Sequence, residues 1–249
     1  MAIGTLLNRL LRPLNLALVR GARGRGEYTP NPPYGSDTYS PWLTDAFQAD
    51  QEAIASHTLV SADRRYVLET LARQARHLPG EFSECGVYRG GTAYLLASVI
   101  GGGRQELHLF DTFAGMPPSA DADPSGHREG DFGDTSLPMV REYLAPFPSV
   151  VFHPGFIPDT FAPLPADIRF SLVHVDVDLY QSVRDTLEFF YPRIVPGGMM
   201  VFDDYGFEMY RDAARRAVDE FFSDRPEVPL VLRTGQCVVH RLGRGAGAS

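Results

Sequence analysis

The chain has 249 residues, is 44% hydrophobic and 22% charged, and carries a net charge of -8, which describes a globular protein able to bury a core without staples. All 23 of its cations are arginine. A Schiff-base lysine, a P-loop lysine and a lysine general base are therefore excluded, and an acidic chain without a basic stripe is a poor partner for nucleic-acid phosphates.

Two cysteines, Cys85 and Cys237, are too few for a disulfide framework or a four-cysteine zinc site, and read as buried packing residues. No apolar run reaches the length of a membrane span, so a cytoplasmic location is expected. Residues 1–26 hold five arginines and no acid, with Leu6, Leu7, Leu10, Leu11, Leu14 and Leu18 at helical spacing around Pro13. They read as a basic amphipathic or disordered segment, used for dimer or surface contact. A signal peptide fits less well, because arginines interrupt the apolar stretch and no small-residue cleavage site follows cleanly.

Residues 27–45 are rich in Pro, Gly, Tyr and Ser, which predicts a loop able to fold over a ligand. Ser61 to His77 has the period of a helix, with Tyr66, Val67, Leu68 and Leu71 apolar, and ends at Pro79-Gly80. Strands and helices then alternate. Strands are predicted at 81–87, 105–111, 150–153, 170–177 and 198–203, and helices from Gly90-Gly91 to Ile100, at 137–144, 180–191 and 207–222. Residues 114–135 form a polar excursion, and 228–232 with 237–242 a closing hairpin. The tail GRGAGAS is expected to be disordered. This alternation predicts an α/β fold with a parallel sheet covered on both faces.

In such a sheet, ligands bind beyond the carboxyl ends of the strands. The first strand ends in Glu84-Cys85-Gly86-Val87-Tyr88-Arg89-Gly90-Gly91-Thr92, the second in Asp111-Thr112-Phe113, and the third leads to Gly155-Phe156. The fourth ends in Asp176-Val177-Asp178 and the fifth in Asp203-Asp204. The glycines allow close backbone approach at a helix N-terminus. Asp111, some 20 residues beyond them, suits ribose hydroxyls. Phe113, and Gly155 with Phe156, are placed to border a purine. Asp176, Asp178, Asp203 and Asp204 would repel one another without a cation, and an all-oxygen donor set favours magnesium. No histidine pair has metal-ligand spacing, and His108 and His174 read as sheet residues.

The runs ECGVYRGGTA, LFDTFAGMP, PGFIPDT, VDVDLYQSV, YPRIVPGGMMVFDDYG and RRAVDEFF resemble the TylF/MycF family of S-adenosylmethionine-dependent O-methyltransferases over roughly residues 55–224. The resemblance implies a Rossmann-like class I fold with a seven-stranded, mostly parallel sheet, closed here by a C-terminal antiparallel hairpin. It implies S-adenosylmethionine and Mg2+ as cofactors and a glycosylated small molecule as acceptor. Carried over residue by residue, it assigns Glu84, Gly86, Tyr88, Gly90, Gly91 and Thr92 to the methionine end of the cofactor, Asp111 to the ribose, and Gly155 and Phe156 to the adenine, with Thr112 and Phe113 also bordering the cofactor. Thr58 would reach the cofactor from the N-terminal side. Asp176, Asp203 and Asp204 would bind magnesium, Asp176 also bordering the cofactor. Asp178 would be the general base, with Asp176 its rival.

The implied organisation is a segment 1–26, a lid and helix 27–80, a catalytic domain 81–242 and a tail 243–249. Two other readings compete: a metal-dependent glycosyltransferase using Asp176 and Asp178 as a DxD pair, and a non-catalytic protein that keeps the cofactor pocket. The sequence leaves a homo-oligomer open.

Overall fold

FSLVHV and GGMMVF are apolar on both faces, so each can be stable only as an interior strand with packing above and below. Both take that place in a computed structural model, which describes residues 28–31, 36–118 and 125–243. The expectations for residues 1–26 and for most of the tail lie outside the described residues.

Contacts divide the chain into two units, with the boundary between Glu52 and Ala53. In the first, β1 (Tyr28–Asn31) pairs antiparallel with β2 (Ser36–Tyr39), from Tyr28 opposite Tyr39 to Asn31 opposite Ser36. A 3-10 turn (Pro41–Leu43) and α1 (Asp45–Gln51) follow, and Thr44 Oγ1 caps α1 by accepting from Phe47 N at 3.3 Å. This corrects the expectation of a loop over 27–45. Tyr and Thr favour extended backbone, and proline is tolerated where every strand is an edge.

The second unit opens with α2 (Ala62–Ala75) and alternates β3 (Glu81–Cys85), α3 (Gly91–Ile100), β4 (Leu107–Asp111), α4 (Leu137–Tyr143), β5 (Val150–Pro154), β6 (Phe170–Val175), α5 (Tyr180–Phe190) and β7 (Ile194–Phe202). Then come a 3-10 turn (Glu208–Tyr210), a π turn (Arg211–Arg215), α6 (Arg216–Phe222), β8 (Leu230–Val231) and β9 (Cys237–His240). The predicted continuous helix over 207–222 is thus α-helical only in its second half. The last parallel strand is longer than predicted, because its first residues continue past Gly197 (φ +81), beside a register shift between Phe170 and Leu172.

The seven-stranded sheet has the order β5-β4-β3-β6-β7-β9-β8. β3 to β7 are mutually parallel, and β9 runs antiparallel to both β7 and β8. Alternation along the strands sends Leu172, Met199 and Val201 to one face, against Leu68 and Ala72 of α2 and Leu96 of α3. It sends Val173, Met200 and Phe202 to the other, against Leu187 and Phe190 of α5 and Phe221 of α6. Each fully buried Phe or Leu contributes about 1.5–3 kcal/mol. Among the described residues no helix is long and apolar enough to cross a membrane.

Strand order reverses between β3 and β6, where the crossovers leave to opposite sides and open a crevice at the carboxyl edge. Gly86 sits in that crevice. Its N donates to Phe110 O at 2.9 Å, and Asp176 N donates to the neighbouring Cys85 O at 2.8 Å. Gly86 has φ +85, and a Cβ on it would lie 1.8 Å from Asp176 O. Gly86→Ala is therefore expected to destabilise the second unit by about 3 kcal/mol or more. Urea denaturation checks this, and a variant within about 0.5 kcal/mol of the parent would contradict it.

Candidate functional site

The crevice is a cavity of about 870 Å³ lined by the loops after β3, β4, β5, β6 and β7. Thr58, Gly86, Tyr88, Thr92, Asp111, Thr112, Gly155, Phe156, Asp176, Asp178, Asp203 and Asp204 all line it. Five separate strand ends thus meet as the sequence predicts. Thr58 reaches the cavity because the preceding residue docks on α3: Gly91 N donates to His57 O at 2.9 Å. A Cβ on Gly91 would come within 2.8 Å of Thr58 Cβ.

Four predicted residues do not line the cavity. Gly90, in the left-handed region at φ +88, starts α3 beneath Val140, and Gly91 holds the His57–Thr58 strap. Phe113 is turned into the core, its ring centroid 6.0 Å from that of Phe152. Glu84 is fully buried below the glycine loop, where its Oε1 accepts from His174 Nδ1 at 2.8 Å.

Asp111 borders the cavity while organising the turn around it. Its Oδ2 accepts from Val87 N at 2.6 Å and Tyr88 N at 3.1 Å, and its Oδ1 accepts from Phe113 N at 2.6 Å. The polar excursion is latched to the same loop: the Tyr88 hydroxyl donates to Asp134 Oδ2 at 3.1 Å, and Arg89 pairs with Asp134.

One carboxylate oxygen from each of Asp176, Asp203 and Asp204 lies within 4.8 Å of the other two. Burial, then the charge of Asp203, raises Asp176 to about 8. Burial and the charges of Asp176 and Asp178 hold Asp204 well above the usual carboxylate range. Both shifts express a site short of positive charge. The donor set of three carboxylates suits a hard divalent cation.

Asp203 differs from its neighbours. Burial pushes it up, but His174 and Arg64 reverse the sign and hold it below the usual range. Arg64 Nη1 donates to Oδ2, Gln236 Nε2 donates to Oδ1 at 2.8 Å, and His174 Nε2 lies 3.5 Å from Oδ1. Asp178 is in the left-handed region at φ +57 and nearly buried. The Tyr210 hydroxyl hydrogen-bonds at 2.9 Å to His127 Nε2, which is itself 3.9 Å from Asp178 Oδ1, and burial followed by the charge of Asp178 raises Tyr210.

Sequence reasoning missed Arg64, Gln236, Tyr210 and His127, and read His174 as no more than a sheet residue. The one available signal was strand register, since Glu84 and His174 are direct partners between β3 and β6. The two cysteines are buried and unpaired as expected, and burial raises Cys237 to about 12.

Strand order, antiparallel closing strands and a cavity at the switch point define a class I methyltransferase fold. The chain matches the TylF family, described as macrocin-O-methyltransferase, over residues 44–236, and it belongs to that family of O-methyltransferases. It is 31% identical over 175 residues to the 8-demethyl-8-(2,3-dimethoxy-alpha-L-rhamnosyl)-tetracenomycin-C 4'-O-methyltransferase of Streptomyces olivaceus. That alignment covers 64% of this chain and 66% of the relative, so the chain matches just under two thirds of the relative's length. The structure of the O-methyltransferase NovP superposes with a TM-score of 0.67 and 25% identity, covering 75% of this chain and 83% of that one. TomG from Streptomyces achromogenes, solved in complex with SAM, shares the fold at a TM-score of 0.53 and 17% identity, covering 98% of this chain and all of its own.

His174 is raised to about 10: burial lowers it, but the carboxylates of Asp203, 3.5 Å from Nε2, and Glu84, hydrogen-bonded to Nδ1, win. Its folded value exceeds the unfolded value of about 6.5, so its stabilisation is fully present below that pH and is lost as pH rises through about 10. His174→Gln, which leaves the buried Glu84 without its cationic partner, is expected to cost about 3–5 kcal/mol near pH 6. The gap to the parent should narrow toward pH 10. Urea denaturation across that range checks it, and a gap that stayed constant or widened would contradict the imidazolium.

Proposed function

We propose that the protein transfers the methyl group of S-adenosylmethionine to a hydroxyl, of a sugar, on a small-molecule secondary metabolite. The observation that carries this reading is the meeting of Asp176, Asp203 and Asp204 at the rim of a cavity that also borders Gly86, Asp111 and Gly155. A donor pocket and a carboxylate cluster then share one space. Family membership favours this over the glycosyltransferase reading, and the rhamnosyl group in the name of the Streptomyces olivaceus relative supports a sugar hydroxyl as acceptor.

In this reading the Gly86–Tyr88 backbone, Thr92 and Thr58 face the methionine end of the cofactor. Asp111 faces the ribose, and Gly155 and Phe156 flank the adenine. Glu84, being fully buried, acts beneath the loop through His174 rather than by touching the donor. S-adenosylmethionine supplies the activated methyl group. Asp176, Asp203 and Asp204 would hold Mg2+, which supplies Lewis acidity to the acceptor hydroxyl.

Asp178 is the base: it lines the cavity, and His127, hydrogen-bonded to the Tyr210 hydroxyl, lies 3.9 Å from its Oδ1. It takes the hydroxyl proton as the oxygen attacks the methyl carbon. Asp176 serves less well, because it is one of the three acids that would hold the metal and it faces the like charge of Asp203. Leu59, Phe132, Phe207 and Met209 are exposed large apolar side chains at the cavity lining. They offer an apolar surface to the part of the acceptor that carries the sugar. A cytoplasmic location accords with this reading.

Asparagine tolerates the left-handed backbone of Asp178, so Asp178→Asn should fold normally. It should lower kcat about 10²–10⁴-fold and leave S-adenosylhomocysteine binding intact, as measured by turnover and calorimetry; wild-type turnover would remove Asp178 from the role. At about a hundredfold over its Kd, S-adenosylhomocysteine should raise the Tm by about 5 °C or more. Stabilisation by UDP alone would instead favour glycosyl transfer. Excess chelator should abolish turnover, and activity that survives it would count against the metal.

A further inference from the structure

The carboxylate cluster already holds a cation of the chain's own. Arg64 sits in the first turn of α2, and its backbone O accepts from Gln236 Nε2 at 3.3 Å. Its guanidinium Nε donates to Ser61 Oγ at 3.1 Å, Nη2 donates to Leu59 O at 3.2 Å, and the group lies 5.1 Å from the centroid of the Phe207 ring. Nη1 donates to Asp203 Oδ2 and lies 3.9 Å from Asp204 Oδ1. The Arg64 side chain is only 13% exposed and that of Asp203 not at all, so water screens these contacts little.

Both Asp203 oxygens therefore face hydrogen-bond donors. A hard cation binds through oxygen lone pairs, and Oδ2 already gives one of its two to a guanidinium that cannot deprotonate. Like charge also sets the two cations against each other, since a divalent ion shared by Asp203 and Asp204 would stand close to Nη1. Arg64 covers Asp203 while Asp176 and Asp204 remain short of positive charge.

We infer that Arg64 is the resident counter-ion of the carboxylate cluster and that a divalent metal ion competes with it for Asp203, so that Arg64 sets the metal affinity of the site. This deepens the metal-dependent reading above and rests on it. Only the side chain has to move, because the Arg64 backbone stays tied to Gln236. Its departure also frees Leu59 O, in the segment that lines the cavity beside Thr58.

The test uses the full chain and Mn2+ as probe, with free ion followed by electron paramagnetic resonance. Arg64→Met keeps an apolar stem beside Phe207 and removes the charge, and it should bind Mn2+ about tenfold more tightly or better. Arg64→Lys keeps the charge and should stay within about threefold of the parent. Equal or weaker binding in Arg64→Met overturns the inference, because Arg64 would then be holding Asp203 ready for the ion.

A second measurement needs no folded Met variant. One arginine Nε–H resonance, identified by its absence in Arg64→Lys, should move when magnesium saturates the wild-type chain. If it stays fixed while calorimetry records magnesium binding, the inference fails. Asp176→Asn separates the two levels. If it abolishes Mn2+ binding while Arg64→Met binds as the parent does, only the role of Arg64 falls. If neither the parent nor Arg64→Met binds Mn2+, the metal-dependent reading falls with it.

Discussion

An ionised carboxylate with no access to water, Asp203, governs the organisation of the site. Removing such a charge from solvent costs several kcal/mol unless donors surround it. Here Arg64 comes from the helix before the sheet, His174 from β6 and Gln236 from the turn before β9. Three stretches of chain, far apart in sequence, must be in place before the carboxylate is tolerable. The same contacts extend through His174 to Glu84 in β3, so one buried chain of charges links the strand beneath the glycine loop to the strand carrying the acidic pair.

Around this centre, positive charge is distributed unevenly. Asp203 has two cationic neighbours, whereas Asp176 and Asp204 face mainly other carboxylates. The result is a gradient across a few ångströms, from a satisfied acid deep in the sheet to unsatisfied acids at the cavity. Asp203 fixes the cluster in position, and Asp176 and Asp204 are the members at which a cation is proposed to be drawn in. Asp178 lies just beyond, faced by His127 from the excursion and by Tyr210 from the 3-10 turn after β7. The proposed base is therefore bordered by different elements from those that hold the acidic cluster.

Steric constraint complements electrostatics on the donor side of the cavity. Gly86 lets the carbonyl of Asp176 approach more closely than any side chain would permit, and Gly91 does the same for the strap carrying Thr58. These glycines act on neighbouring backbone. Asp111 then ties the turn together through three backbone N–H groups. This pre-organises the loop that borders the proposed methionine end and costs no reorganisation when a ligand arrives.

Much of this was legible in the sequence. The apolar runs of β6 and β7 specify interior parallel strands, because a strand buried on both faces cannot alternate. Strand–helix alternation then places every strand end on one edge, which is why Asp111, Gly155, Asp176 and Asp203 could be assigned to a common cavity from order alone. The loop expected over 27–45 proved partly extended, since composition counts prolines and glycines but not the cross-strand partner that makes a strand. Inter-strand register and helix docking were decided only in three dimensions. Register set His174 beside Glu84, the docking of α2 delivered Arg64 to Asp203, and the packing of the 3-10 turn after β7 brought Tyr210 toward Asp178. Local sequence carries the period of an element, which depends on its own side chains. The partners of a buried charge depend on where distant segments come to rest, and tertiary packing alone settles that.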